Sequence, residues 1–218
     1  MTKTTLNGSK VLPEGDVKSA VVFLHGYGAN GDDLIGLAPA LEKHLPETAF
    51  FAPNGPQKTV MGIGRQWFSD AEGTFRDKPG LDAAAKEIET YLERDVYTPH
   101  GLKPRNVVLV GFSMGTMAAL HAAPRLPGGC AGVVGFSGAL MFPETLKDIP
   151  HRAEMPLLLI HGLEDDVVPY HATEIAAGQL KEQGFDVQTQ LLDGLGHGID
   201  ERGLRLASTF LGKHLNRA

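Results

Sequence analysis

The chain has 218 residues with 26 acidic against 20 basic side chains and a formal net charge of −6. Without a cluster of Lys and Arg, this excludes a phosphate-tracking nucleic-acid surface. Hydrophobic residues at 42% and charged residues at 21% exclude a disordered chain, and the length suits one domain spanning 1–218 with a substantial core.

Short apolar strands alternate with helical segments. Residues 7–18 offer an antiparallel edge strand, followed by a buried strand at Ala20–Leu24. Asp32 and Asp33 open a helix that runs through Leu41 to His44, with Leu34, Leu37, Ala38 and Leu41 on one face. Ala49–Ala52 is a strand stopped by Pro53. Residues 54–80 are rich in Gly and Pro, too long for an idle loop. A helix is predicted over Leu81–Tyr97, strands at Asn106–Val110, Val133–Phe136 and Leu157–Ile160, a helix over Tyr170–Gln183, a strand at Val187–Leu192 and a closing helix over Gly203–Leu215. Continuous apolar strands in β-α alternation imply a mostly parallel sheet covered on both faces.

The single cysteine, Cys130, rules out an intrachain disulfide and suits a reducing cytoplasm. It reads as a small buried residue at a strand start. No apolar run approaches the roughly 20 residues that cross a bilayer, and the amino terminus has no apolar core of a secretory signal. The expectation is a cytoplasmic protein without stable membrane insertion.

Gly111-Phe112-Ser113-Met114-Gly115 follows a strand and precedes the helix-forming run 116–123. Glycine is frequent here, so the pattern alone is weak. Its strand-to-helix context is what a nucleophile elbow requires. The tight turn leaves no room for side chains at the two glycines, and the helix amino terminus faces developing negative charge at Ser113. Gly135-Phe136-Ser137-Gly138 lacks the second glycine at the right spacing, so Ser137 reads as structural.

A serine nucleophile needs a base, and the base needs a carboxylate. Of nine histidines, His44, His100, His121, His151, His171 and His214 lie on helices or polar loops. His25 and His161 end strands but precede a needed partner in the expected order of serine, acid and histidine. His197, on the glycine-rich loop after the last strand, is the candidate base. Glu164, Asp165 and Asp166 follow the penultimate strand, and residue chemistry leaves the choice among them open. Oxyanion donors would be the Met114 N–H and one from the loop His25-Gly26-Tyr27-Gly28.

Leu24-His25-Gly26-Tyr27-Gly28, Gly111-Phe112-Ser113-Met114-Gly115, His161-Gly162-x-x-Asp165-x-Val167-Val168-Pro169 and Gly196-His197 occur in this order. Together with Ala52–Pro56 and Gln66–Asp70 they resemble the phospholipase/carboxylesterase family of α/β-hydrolases, across nearly the whole chain. The resemblance implies the α/β-hydrolase fold, helices on both faces of a mostly parallel central sheet, and a serine carboxylesterase acting on short- to medium-chain acyl esters. It implies Ser113, Asp165 and His197 as catalytic residues; Asp166, the second choice of acid, stands where the family usually has proline. It gives the Tyr27 N–H, at a position commonly leucine, as the second oxyanion donor beside Met114. The aromatic at Trp67 would lie beside the acyl site, and Leu140, Met141 and Phe142 form a second apolar cluster suited to a pocket wall. No metal or organic cofactor is implied, and a homodimer is compatible with the resemblance. A thioesterase or lysophospholipase would use the same three residues. A different class, an inactive hydrolase-fold binding protein, would usually lack one of them.

Overall fold

The computed structural model describes residues 6–70, 75–149 and 155–215. Seven strands form one sheet: β1 Gly8–Val11, β2 Ser19–Leu24, β3 Thr48–Pro53, β6 Val107–Phe112, β7 Gly132–Phe136, β8 Leu157–Gly162 and β9 Val187–Leu192. Their spatial order is β1-β3-β2-β6-β7-β8-β9. Only β1 is antiparallel, pairing Gly8 with Pro53 and Val11 with Phe50, which is the edge strand expected from residues 7–18. The remaining pairs are parallel.

Alternation along the strands sorts side chains onto two faces. On β2 and β6, Ala20, Val22, Leu24, Val107 and Leu109 enter one core, with α3 Lys78–Tyr91, α5 Met114–Ala122 and α6 His171–Glu182. Val21, Phe23, Val108 and Val110 enter the other, with α1 Gly31–Ile35, α2 Ala38–Glu42 and α7 Glu201–Leu215. All nine residues of α5 are buried, because it is wedged between α3 and the sheet. Each fully buried Leu, Val or Phe contributes about 1.5–3 kcal/mol. Among the described residues no helix is long and apolar enough to cross a membrane.

Three elements differ from the sequence expectation. The helix predicted over 32–44 is two short ones. Asn30 caps α1 by accepting from the Asp32 N–H while Asp33 accepts from the Asn30 N–H, and Gly36 closes it. Pro39 in the first turn of α2 lacks the N–H that a continuous helix would need. The helix predicted over 81–97 begins earlier, at Lys78, where Asp77 accepts from the Gly80 N–H. It ends as a π-helical turn, Leu92–Tyr97, followed by α4 Thr98–His100. Within the long loop, β4 Gln57–Lys58 and β5 Arg65–Gln66 form a small antiparallel hairpin.

Candidate active site

The chain runs from β2 to β3 on one side and returns to β6 on the other. The carboxyl ends of β2 and β6 therefore flank a topological switch point, where open α/β sheets place ligands. Leu24 pairs with Gly111 at this edge. Ser113 follows with φ 54° and ψ −119°, outside the regions L-residues favour, and its N–H is anchored to the Phe136 carbonyl at 2.8 Å. A Cβ at Gly111 would strike the Thr116 backbone, and one at Gly115 the Leu24 carbonyl. The two glycines thus let α5 turn back onto β6 and lie against β2, with Ser113 at the first turn of the helix.

The loop after β2 lies beside Ser113. A Cβ at Gly26 would sit 3.1 Å from the Phe112 ring and 3.4 Å from the Ser113 Cβ. Among the described residues the N–H groups of Tyr27 and Met114 donate to no protein acceptor. The Tyr27 side chain is exposed. The loop is braced from behind. The Gly55 N–H donates to His25 Nε2 at 2.8 Å, so the ring proton is on Nδ1, which donates to the Gly26 carbonyl at 2.7 Å. Burial holds the His25 pKa below the usual histidine value, against the pull of its bond to Gly26, and keeps the ring neutral. The Gly28 N–H donates to the Arg65 carbonyl, the Arg65 N–H returns a bond to Ala29, and Arg65 Nε reaches the Gly55 carbonyl. A side chain at Gly64 would collide with the Gly28 carbonyl.

Of the three acidic residues after β8, Glu164 and Asp166 are exposed and Asp165 is buried. Asp165 Oδ2 accepts from His197 Nδ1 at 2.8 Å, and Oδ1 from the Val167 and Val168 N–H groups at 2.9 and 2.8 Å. Burial pushes the Asp165 pKa up, but the bonds from His197, Val168 and Val167 outweigh it and hold the pKa below the ordinary carboxylate value. The His197 loop crosses close by, since a Cβ at Gly162 would meet the Leu195 carbonyl, and Glu164 N–H donates to that carbonyl at 3.0 Å. The His197 ring packs on Phe112, centroids 4.9 Å apart, next to Ser113 in the chain. Among the described residues no hydrogen bond closes between His197 Nε2 and Ser113 Oγ; such bonds commonly tighten only with substrate.

Leu140, Met141 and Phe142 are half-buried against the core. Their segment leaves from beside Ser113, because a Cβ at Gly138 would lie 3.0 Å from the Ser113 carbonyl. Trp67, expected as a cleft wall, has no exposed surface. Its Nε1 donates to the His25 carbonyl at 2.9 Å, so it supports the loop after β2. Ser137 is buried with φ 47° at the end of β7, and Cys130 is buried. Among the described residues no three His, Cys, Asp or Glu side chains converge to hold a metal ion.

Sequence reasoning set His25 and His161 aside, yet both are fully buried at this edge and hydrogen-bonded on both ring nitrogens. The available signal was their shared setting, a strand end directly before glycine.

The family described as Phospholipase/Carboxylesterase matches residues 9–215. The crystal structure of esterase PE8 superposes with a TM-score of 0.88 at 37% identity, covering 97% of this chain and 100% of that one. Acyl-protein thioesterase 1 of Gibberella zeae is 29% identical over 218 residues, 90% of this chain and 91% of that protein. A probable carboxylesterase of Oryza sativa subsp. japonica is 30% identical over 213 residues, 91% of this chain and 78% of that protein.

Proposed function

The chain belongs to the phospholipase/carboxylesterase family of α/β-hydrolases and is a carboxylic ester hydrolase, and we propose that it works through an acyl-enzyme on Ser113, with His197 as base and Asp165 as its carboxylate. The observation that carries this is the Asp165–His197 bond of 2.8 Å, with the imidazole packed on Phe112 directly before the strained Ser113. The Asp165 carboxylate holds the His197 proton on Nδ1 and leaves Nε2 to accept from Ser113 Oγ. The serine oxygen attacks the ester carbonyl carbon. The tetrahedral oxyanion accepts from the Tyr27 and Met114 N–H groups, aided by the amino terminus of α5. His197 then returns the proton to the leaving alcohol. A water molecule, deprotonated by the same nitrogen, hydrolyses the acyl-enzyme.

The proposed substrates are short- to medium-chain acyl esters, with Leu140, Met141 and Phe142 flanking the acyl group and Trp67 acting through the loop above it. The lone buried thiol of Cys130 fits a single-domain enzyme of the reducing cytoplasm. Thioester cleavage is a second reading, favoured by the similarity to Acyl-protein thioesterase 1 of Gibberella zeae. Rates with paired oxygen and sulfur esters of increasing acyl length separate the two. Ser113→Ala is expected to lower turnover of a chromogenic short-chain ester by at least about 10⁴-fold. It should also abolish labelling by an active-site phosphonate while the far-ultraviolet circular dichroism stays unchanged. Retained labelling would overturn the acyl-enzyme mechanism.

A further inference from the structure

Asp165 carries one more bond than a catalytic carboxylate needs to orient its histidine. Oδ2, the oxygen that receives His197 Nδ1, also faces His161 Nε2 at 3.0 Å. The same His161 nitrogen lies 2.8 Å from the Val168 carbonyl. Both neighbours of Nε2 are acceptors, so Nε2 carries a proton and donates. On the other side of the ring, Nδ1 meets the Thr173 hydroxyl of α6 at 2.7 Å. His161 has no exposed surface, so water cannot replace its N–H if it is removed.

We propose that His161 is a positioning residue whose Nε2–H shares Asp165 Oδ2 with His197 and thereby sets how strongly that carboxylate holds the base. This rests on the reading of Asp165 and His197 as catalytic partners. The physical argument concerns competition for one oxygen. A carboxylate oxygen that already accepts a hydrogen bond has less negative charge to offer the second donor. With His161 in place, Asp165 orients His197 firmly but stabilises the imidazolium only in part, so the proton taken from Ser113 is passed readily to the leaving group. Without it, the imidazolium is held more tightly and the ring loses a fixed reference.

The neighbouring charges do not confuse the assignment. Glu164 and Asp166 on the same loop are exposed. On α6, His171 and Glu174 pair with each other at the surface at 2.8 Å. Beyond the His197 loop, Asp193 is exposed and Asp200 is paired with Arg202 at 2.7 Å. None of these is bonded to the Asp165 carboxylate among the described residues.

The test is the pH profile of kcat/KM for a short-chain ester, measured on the full chain. His161→Leu is expected to move the acid limb to higher pH by about half a unit to one unit, a part of the strength of one bond to a charged group because His161 acts on His197 only through the shared oxygen. His161→Gln, which can still donate an amide N–H to Asp165, is expected to restore the limb. Thr173→Val removes the hydroxyl that holds the ring and is expected to move the limb in the same direction by less. If His161→Leu does not fold, Thr173→Val decides: a raised limb supports the role and an unmoved limb overturns it. A lower melting temperature with an unmoved limb in folded His161→Leu would reduce His161 to packing and overturn the proposal. Turnover surviving in Ser113→Ala would instead overturn the acyl-enzyme reading beneath it.

Discussion

Of the imidazole–carboxylate pairs on this fold, two are built in opposite orientations. At the sheet rim the carboxylate of Asp165 has no exposed surface, while the His197 side chain keeps 17% of its own. Between α3 and α5 the arrangement is reversed: His121 is 1% exposed and Asp82 is 45% exposed, with their bond at 2.7 Å. The nitrogens are reversed too. His197 gives Nδ1 to its aspartate, leaving Nε2 on the side of the ring away from that carboxylate. His121 gives Nε2 to Asp82, and its Nδ1 is buried without a partner among the described residues. A buried carboxylate with four donors behind an accessible ring suits a base that gains and returns a proton. A buried ring behind a half-exposed carboxylate cannot reach substrate. Burial, with help from nearby Arg125 and against the pull of Asp82, depresses the His121 pKa to about 4.

The sharpest way to break this contrast is to make the same substitution in both pairs. Asp165→Asn turns an amide N–H toward His197 and favours the wrong tautomer, so kcat should fall by about 10⁴-fold. Asp82→Asn should leave kcat unchanged. Equal losses in steady-state assays of the two would show that the pairs do not differ in role.

The next effect is on stability. Burial lowers the His121 pKa from the ordinary histidine value of 6.5 to about 4 in the folded chain. Between these values the unfolded chain binds a proton that the folded chain refuses. Stability is therefore full above pH 6.5 and falls as pH drops toward 4, by roughly 3 kcal/mol in all. His121→Leu should flatten urea-unfolding free energies over this window. The lowered Asp165 pKa acts in the same sense: its contribution is present above the normal carboxylate range and is lost as pH falls through the folded value. That part of the acid sensitivity should survive in His121→Leu. The smallest effect belongs to the surface pair of Lys78 and Asp82, 2.6 Å apart with both side chains more than 40% exposed. Lys78→Met should cost no more than about 0.5 kcal/mol in the same unfolding experiment.

These contrasts also mark what the sequence made legible. The elbow was readable because its constraint is local: Gly111 and Gly115 are needed by atoms within a few residues or on the adjoining strand. The buried parallel strands β2, β3, β6, β7 and β8 were readable from apolar runs, whereas the edge strand Gly8–Val11 and the half-exposed β9 carry no such run. The preference for Asp165 over Glu164 and Asp166 came from the family pattern, because what separates them physically is burial and the Val167 and Val168 N–H groups, and three adjacent carboxylates look alike in one dimension. His161 was hidden for a related reason, since its partners are brought together only by the turn after β8 and by α6. Trp67 looked like a loop aromatic because the two-residue strands β4 and β5 are too short to show a period, and only their pairing tucks it beneath His25. Pro39 breaks the helix although the apolar stripe of Leu34, Leu37, Ala38 and Leu41 runs on across it.

The atoms nearest to a Cβ placed on Gly115 are main-chain atoms of Leu24 and His25, at the end of β2. The serine and the dipoles of the neighbouring turn are consequently indexed to the same strand by peptide atoms alone. The spacing between the Ser113 hydroxyl and the N–H groups of Tyr27 and Met114 is therefore written into the backbone and is indifferent to most exchanges of side chain around it.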